Sequence, residues 1–128
     1  MTDSQSYPAE WRRIADKDMN RIARSLSDGD PELAGFCLQQ AVEKYLKAFL
    51  LSWGWPLRRI HDLEALPDDA VGYEPALDRF RPVCQKITKL YMLDRYPSLV
   101  ASALTVETVR DLPDEAKPLI AKLQSQLR

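Results

Sequence analysis

Gly35-Phe36-Cys37-Leu38-Gln39-Gln40-Ala41-Val42-Glu43-Lys44-Tyr45-Leu46-Lys47-Ala48-Phe49-Leu50-Leu51 is the stretch whose reading decides the fold. Leu38, Ala41, Val42, Tyr45, Phe49 and Trp53 recur at three-to-four spacing and make one stripe of a helix. Leu33, Cys37, Leu46, Leu50 and Leu51 widen the apolar arc past half the circumference. A helix apolar this far round is central in a bundle or shared with a second subunit, and both are expected here. Asp30 can cap it, Pro31 can take its first position, and Gly54 suits the left-handed residue beyond its end. Small residues Ala34 and Gly35 would let a neighbouring helix come close. Within it Gln39, Gln40, Glu43, Lys44 and Lys47 form a polar strip that would serve as surface, dimer contact or ligand wall.

Before this stretch, a helix from about Pro8 to Ser27 places Trp11, Ile14, Ala15, Met19, Ile22, Ala23 and Leu26 on one face. Arg12, Arg13, Asp16, Lys17, Asn20, Arg21 and Arg24 lie on the other. Asp18 sits four residues from both Ile14 and Ile22, so it points near the core and needs a partner. A bond to an Arg, Lys or Tyr of a neighbouring helix is the expected one.

After it, His61 or Asp62 would cap a short helix ended by Pro67 or Gly72. Pro75 opens another helical pattern, in which Pro82 marks a start or a kink. Tyr96-Pro97 breaks the chain, because the residue before proline avoids the helical region. The last segment runs from about Thr105 to the C-terminus, with a kink or restart near Leu112-Pro113 and a further proline at 118. No alternating pattern suggests a strand. The expected fold is all-α: an up-and-down bundle of four long helices with one additional short helix, forming a single domain over residues 1–128.

The totals agree with this. A 128-residue chain can bury roughly two thirds of its unfolded surface without a metal or disulfide staple. Nine prolines, mostly between apolar-periodic segments, punctuate separate helices. A net charge of −1 gives no general affinity for polyanions, which cation–phosphate contacts dominate. A local patch remains open: Lys44 and Lys47 with Arg58 and Arg59, or Arg12, Arg13, Arg21 and Arg24, the latter with Asp16 and Asp28 near enough to offset part of the charge. Such residues are also what the solvated side of an amphipathic helix looks like. Cys37 and Cys84 fall at apolar positions and read as buried reduced thiols. Residues 1–6 lack the basic and apolar regions of a signal peptide, and no apolar run is long enough to span a bilayer. A cytoplasmic protein with no membrane contact is expected.

Three blocks, Gln39-Gln40-Ala41-Val42-Glu43-Lys44-Tyr45-Leu46-Lys47-Ala48, His61-Asp62-Leu63 and Arg95-Tyr96-Pro97, resemble the signature blocks of the HEPN domain (higher eukaryotes and prokaryotes nucleotide-binding) in order and spacing. The first block is the specific one, and the resemblance runs from about Trp11 to Leu123. It implies a bundle of four or five helices, often a symmetric homodimer, in a small cytoplasmic prokaryotic protein. It implies partnership with a minimal nucleotidyltransferase, in some members as a toxin–antitoxin pair. Many such proteins are metal-independent ribonucleases with an arginine followed four to six residues later by a histidine on a late helix.

This chain departs there. Its one histidine is His61, and neither Arg95 nor Arg110 is followed by another. Metal-free RNA cleavage needs one group to take the 2′-hydroxyl proton and another to protonate the leaving oxygen, tasks suited to histidine. The expectation leans away from an enzyme, with His61 the one catalytic candidate. His61 would contact a phosphate or move a proton, or else cap the short helix. Arg95 and Tyr96 would hold a phosphate and stack a base, or else tie down a loop.

Candidate ligand-binding residues are therefore Lys44, Lys47, Arg58, His61, Arg95 and Tyr96. The isolated glycines make no phosphate loop, and one histidine with two apolar-position thiols makes no metal set. No cofactor is expected. The favoured reading is a homodimeric module that binds nucleotide or RNA phosphate and acts with a nucleotidyltransferase. The alternatives are a metal-independent ribonuclease or toxin with a non-standard site, for which His61 with Arg95 is the candidate pair, and a structural interaction protein without ligand. About fifteen helical residues between His61 and Arg95 would span roughly 22 Å, which weighs against that pair.

Overall fold

The computed structural model describes residues 7–56, 63, 65–95 and 104–127. Four long helices carry the fold: α1 (Tyr7–Ser27), α2 (Pro31–Ser52), α4 (Arg81–Arg95) and α6 (Leu112–Ser125). Short helices α3 (Ala65–Tyr73) and α5 (Val106–Arg110) and a 3-10 segment (Pro75–Phe80) fill the connections. There is no strand among the described residues.

Local chemistry sets the breaks. Asp30 Oδ1 accepts from the Leu33 backbone N–H at 3.1 Å and Pro31 follows it, so α2 starts where one of its orphan donors is satisfied. Gly54, at φ +91°, and Gly29, at φ +71°, take the left-handed backbone that closes α2 and the α1–α2 turn. Thr105 and Thr108 bond each other's backbone N–H groups to open α5. Pro113 lies in the first turn of α6, so the chain restarts there, and Pro118 sits inside α6 without ending it. Pro82 likewise lies in the first turn of α4.

Pro67 ends nothing: it lies in the first turn of α3, which runs on to Tyr73 with Gly72 as its penultimate residue. His61 and Asp62, read as caps for this helix, lie outside the described residues. The pattern opening at Pro75 is a 3-10 segment that hands over to α4 at Arg81.

α2 is the central element, in contact with α1, α3, α4, α5 and α6. Leu38, Val42 and Phe49 from α2 are fully buried with Ala15 and Ile22 from α1, Ile87 from α4 and Leu119 from α6. Burying each large aliphatic or aromatic side chain contributes roughly 1.5–3 kcal/mol. Two indoles fasten the end of α2: Trp53 Nε1 donates to the Gln126 carbonyl at 2.8 Å, and Trp55 Nε1 to Asp69 Oδ2 at 3.0 Å. Gly35 faces Leu90 of α4, yet an added Cβ would stand 3.9 Å from Leu90 Cδ1, an ordinary contact, so this approach does not require glycine. Ala23, placed on the apolar stripe of α1, is exposed. No described helix is long and apolar enough to cross a membrane.

Candidate functional site

The polar strip of α2 is largely interior. Gln39, Glu43 and Lys47 stand four residues apart on one row, and all three are buried, Glu43 and Lys47 to 2 % exposure. Lys47 Nζ donates to Glu43 Oε1 at 3.2 Å and lies 5.0 Å from the centre of the Trp11 ring of α1. Carboxylate and ring together replace much of the ammonium's lost hydration. Gln39 Oε1 has no hydrogen-bond partner among the described residues.

Next to this row, Lys44 Nζ donates to Asp18 Oδ2 at 2.7 Å, and Arg21 donates to Asp18 Oδ1 at 3.1 Å. Asp18 therefore has the cross-helix partner its position demanded, plus one from its own helix. Tyr45 Oη donates to Asp16 Oδ1, so α1 and α2 are joined by two carboxylates of α1 and two side chains of α2.

None of these groups is a ready nucleophile. Burial, then the Asp16 carboxylate, pushes the Tyr45 phenol well above its ordinary range. Burial, then the Asp18 carboxylate, pushes the Cys37 thiol up, and burial takes Cys84 to about 11. Both cysteines are free, buried and protonated at neutral pH. Among the described residues no group of three His, Cys, Asp or Glu is placed to hold a metal ion.

Of the six candidate ligand-binding residues, Lys44 and Lys47 are described, and both are engaged inside the molecule, Lys44 with Asp18 and Lys47 with Glu43 and Trp11. Arg58, His61 and Tyr96 lie outside the described residues. Arg95 is the last residue of α4, and its side chain likewise lies outside what the structure describes.

Hollows open elsewhere among the described residues. One of about 190 Å³, between α3 and α4, is lined by Leu63, Pro67, Asp68, Arg81 and Gln85, with Arg81 held between Asp68 and Asp78. Another, of about 370 Å³ between α4 and the α5–α6 segment, is lined in part by Lys86, Lys89, Asp111 and Glu115. The first is below the usual volume of a small-molecule site and its arginine is already neutralised; neither touches Lys44 or Lys47.

Sequence reasoning recognised the polar strip but not its burial. The readable signal was the Glu43–Lys47 spacing, which on an exposed helix adds only a few tenths of a kcal/mol. Trp11 over Lys47 is a tertiary contact between two helices and leaves no spacing signal.

A sequence model described as the HEPN domain matches residues 8–126. A search of curated proteins returns no match. Among solved structures, the crystal structure of TT1696 from Thermus thermophilus is similar, with a TM-score of 0.76 and 23 % identity, over 99 % of this chain and 100 % of that one. At that identity the likeness establishes a shared fold. The match to the family extends from the second residue of α1 to just past the end of α6 and includes the buried polar block, and the chain belongs to the HEPN domain family.

Proposed function

We propose that the protein is a HEPN-type binding and interaction module, a homodimer that binds the phosphate of a nucleotide or RNA and acts with a minimal nucleotidyltransferase. The observation that carries this reading is the use made of the most specific sequence block: Lys44 pairs with Asp18 of α1, and Lys47, paired with Glu43 of its own helix, lies over Trp11 of α1. The block is scaffold, and ligand contact falls to residues that follow it, Arg58, His61, Arg95 and Tyr96. A single histidine suits phosphate contact better than cleavage, which needs two proton carriers. Homodimerisation is supported by Leu33 and Phe36, one turn apart on α2 and 46 % and 45 % exposed. Two large apolar side chains left to solvent on the central helix suit an isologous contact.

The test pairs a binding and a cleavage measurement. Nucleotides and a short RNA should raise the melting temperature, because a ligand that binds only the folded state stabilises it. The RNA should stay intact, with His61→Ala weakening binding. RNA cleavage that disappears in His61→Ala would replace this reading with the ribonuclease. No thermal response to any nucleotide or RNA would leave the structural protein. Co-purification of an encoded neighbouring nucleotidyltransferase checks the partner.

A further inference from the structure

The outward face of α1 carries a row of cations that the buried block does not use. Arg13, Lys17, Arg21 and Arg24 are spaced four, four and three residues apart, and all are exposed. At 3.6 residues per turn Arg13, Lys17 and Arg24 fall within an arc of about 40°, and Arg21 lies about 40° further round. The row is about 16 Å long, at 1.5 Å per residue. α1 holds five basic and three acidic residues, and two of those acids are engaged with α2: Asp16 by Tyr45 and Asp18 by Lys44.

Of the three acids only Asp18 is buried, so the exposed side of α1 carries five cations against the two carboxylates of Glu10 and Asp16. Arg13 pairs with Glu10 at 2.9 Å, and Arg21 donates to Asp18 while its side chain stays 62 % exposed. Lys17 and Arg24 have no carboxylate within ion-pair distance among the described residues. Arg12 turns away from the row to reach Gln124 of α6 at 3.4 Å.

We infer that this face of α1 is a track for the phosphodiester backbone of a single nucleic-acid strand. One row of cations on a convex helix matches one backbone. Its length equals roughly five phosphates of a stacked strand at about 3.4 Å each. The row offers guanidinium and ammonium donors with Asn20 beside them and no aromatic ring on which a base could stack, so binding depends on salt and little on sequence. The track rests on the proposed phosphate-binding function and extends it to a surface outside the residues assigned to that function.

The test is fluorescence anisotropy with a labelled 12-nucleotide single-stranded RNA and its DNA counterpart, between 50 and 300 mM salt. The proteins are the full chain, Lys17→Gln/Arg24→Gln, and a control on another face, Lys86→Gln/Lys117→Gln. Lys17 and Arg24 are exposed and carry no ion pair among the described residues, so the variant should melt within a degree or two of wild type. Wild type should bind more weakly as salt rises. The α1 variant should bind roughly tenfold more weakly at low salt, with the log–log salt slope reduced by about 1.4, since each phosphate contact on a single strand contributes about 0.7. The control should match wild type.

The tighter of the two strands then names the source. Equal binding and equal slope in the α1 variant overturn the track and leave the phosphate-binding reading standing. Loss of strand binding in that variant, with its thermal response to a mononucleotide retained, supports the track as a separate surface. No binding of either strand by wild type at 50 mM salt overturns it, as does tighter binding of polyglutamate, which would assign the row to an acidic protein partner.

Discussion

The α1–α2 pair and the α4–α6 side of the bundle use the same charged residues to different ends. All five buried polar side chains among the described residues, Asp18, Ser25, Gln39, Glu43 and Lys47, belong to α1 or α2. On the other side Lys86 pairs with Glu115 at 3.0 Å and Lys117 with Asp114 at 2.9 Å at the surface, the latter pair about two-thirds or more exposed, and Lys122 meets Glu74 at 3.7 Å half-buried. Glu43–Lys47 and Asp114–Lys117 look alike as sequence, an acid followed by a lysine one turn later. Burial separates them. In water an ion pair gains little over its hydrated partners, whereas in the interior each charge depends on the other. Among the described residues the side-chain ion pair that reaches α2 from another helix, Asp18 with Lys44, comes from α1, as does the hydrogen bond between Asp16 and Tyr45.

The largest expected effect breaks the inner pair. Glu43→Ala leaves the Lys47 ammonium buried beside the Trp11 ring without its carboxylate and should lower unfolding free energy by about 3–5 kcal/mol in urea melts. Glu43→Leu with Lys47→Met should restore most of that loss, because the cost lies in the unpaired charge. A cost below about 1 kcal/mol for the single change would remove the distinction between the two regions. Asp18→Ala should cost about 2 kcal/mol, since it strands the partly buried Lys44, whereas Arg21→Ala, on the same carboxylate but mostly exposed, should cost less than about 1 kcal/mol.

Alkali tests both regions at once. The Cys84 thiol titrates near 9 when unfolded and about 11 in the fold, so the folded protein keeps a proton that the unfolded chain releases. Stability should be complete below about pH 9 and fall as pH rises toward 11, by on the order of 2 kcal/mol for this group. Tyr45, also raised, adds to the loss above pH 10. Urea melts from pH 8 to 11 should show the decline, and Cys84→Ala should show a smaller one; an unchanged curve in that variant would contradict the assignment. The smallest effect belongs to the surface pair: Lys117→Ala should change stability by less than about 0.5 kcal/mol.

Much of the fold was legible because its signals are local. Asp30 and Pro31 start α2, Gly54 closes it, and Thr105 opens the last segment, since each acts on backbone groups within a few residues of itself. Asp18 announced its burial by lying between Ile14 and Ile22, and it found a lysine of the neighbouring helix. Of the two endings open for the short helix, Gly72 lies next to the true end and Pro67 does not, for a physical reason. Proline is tolerated in a first turn and just beyond a last one, and its own identity does not say which.

The candidate site was less legible. Lys44 and Lys47 read as ligand contacts because a helix wheel assigns faces without saying what covers them. Only the placement of Trp11 and Asp18 on α1 showed that both lysines are engaged. The same folding turned Asp16 and Asp18 toward α2, leaving Arg13, Lys17, Arg21 and Arg24 as a basic outer row on a chain of net charge −1.

By itself the amino-acid sequence determined the helical class, the central place of α2, most of the breaks and the family. These follow from periodicity, from capping chemistry and from a block of ten residues, all short-range along the chain. The tertiary structure decided which charges lie inside and which remain outside. Burial of a polar group depends on the neighbour that covers it, and for Lys47 that neighbour is a tryptophan thirty-six positions earlier.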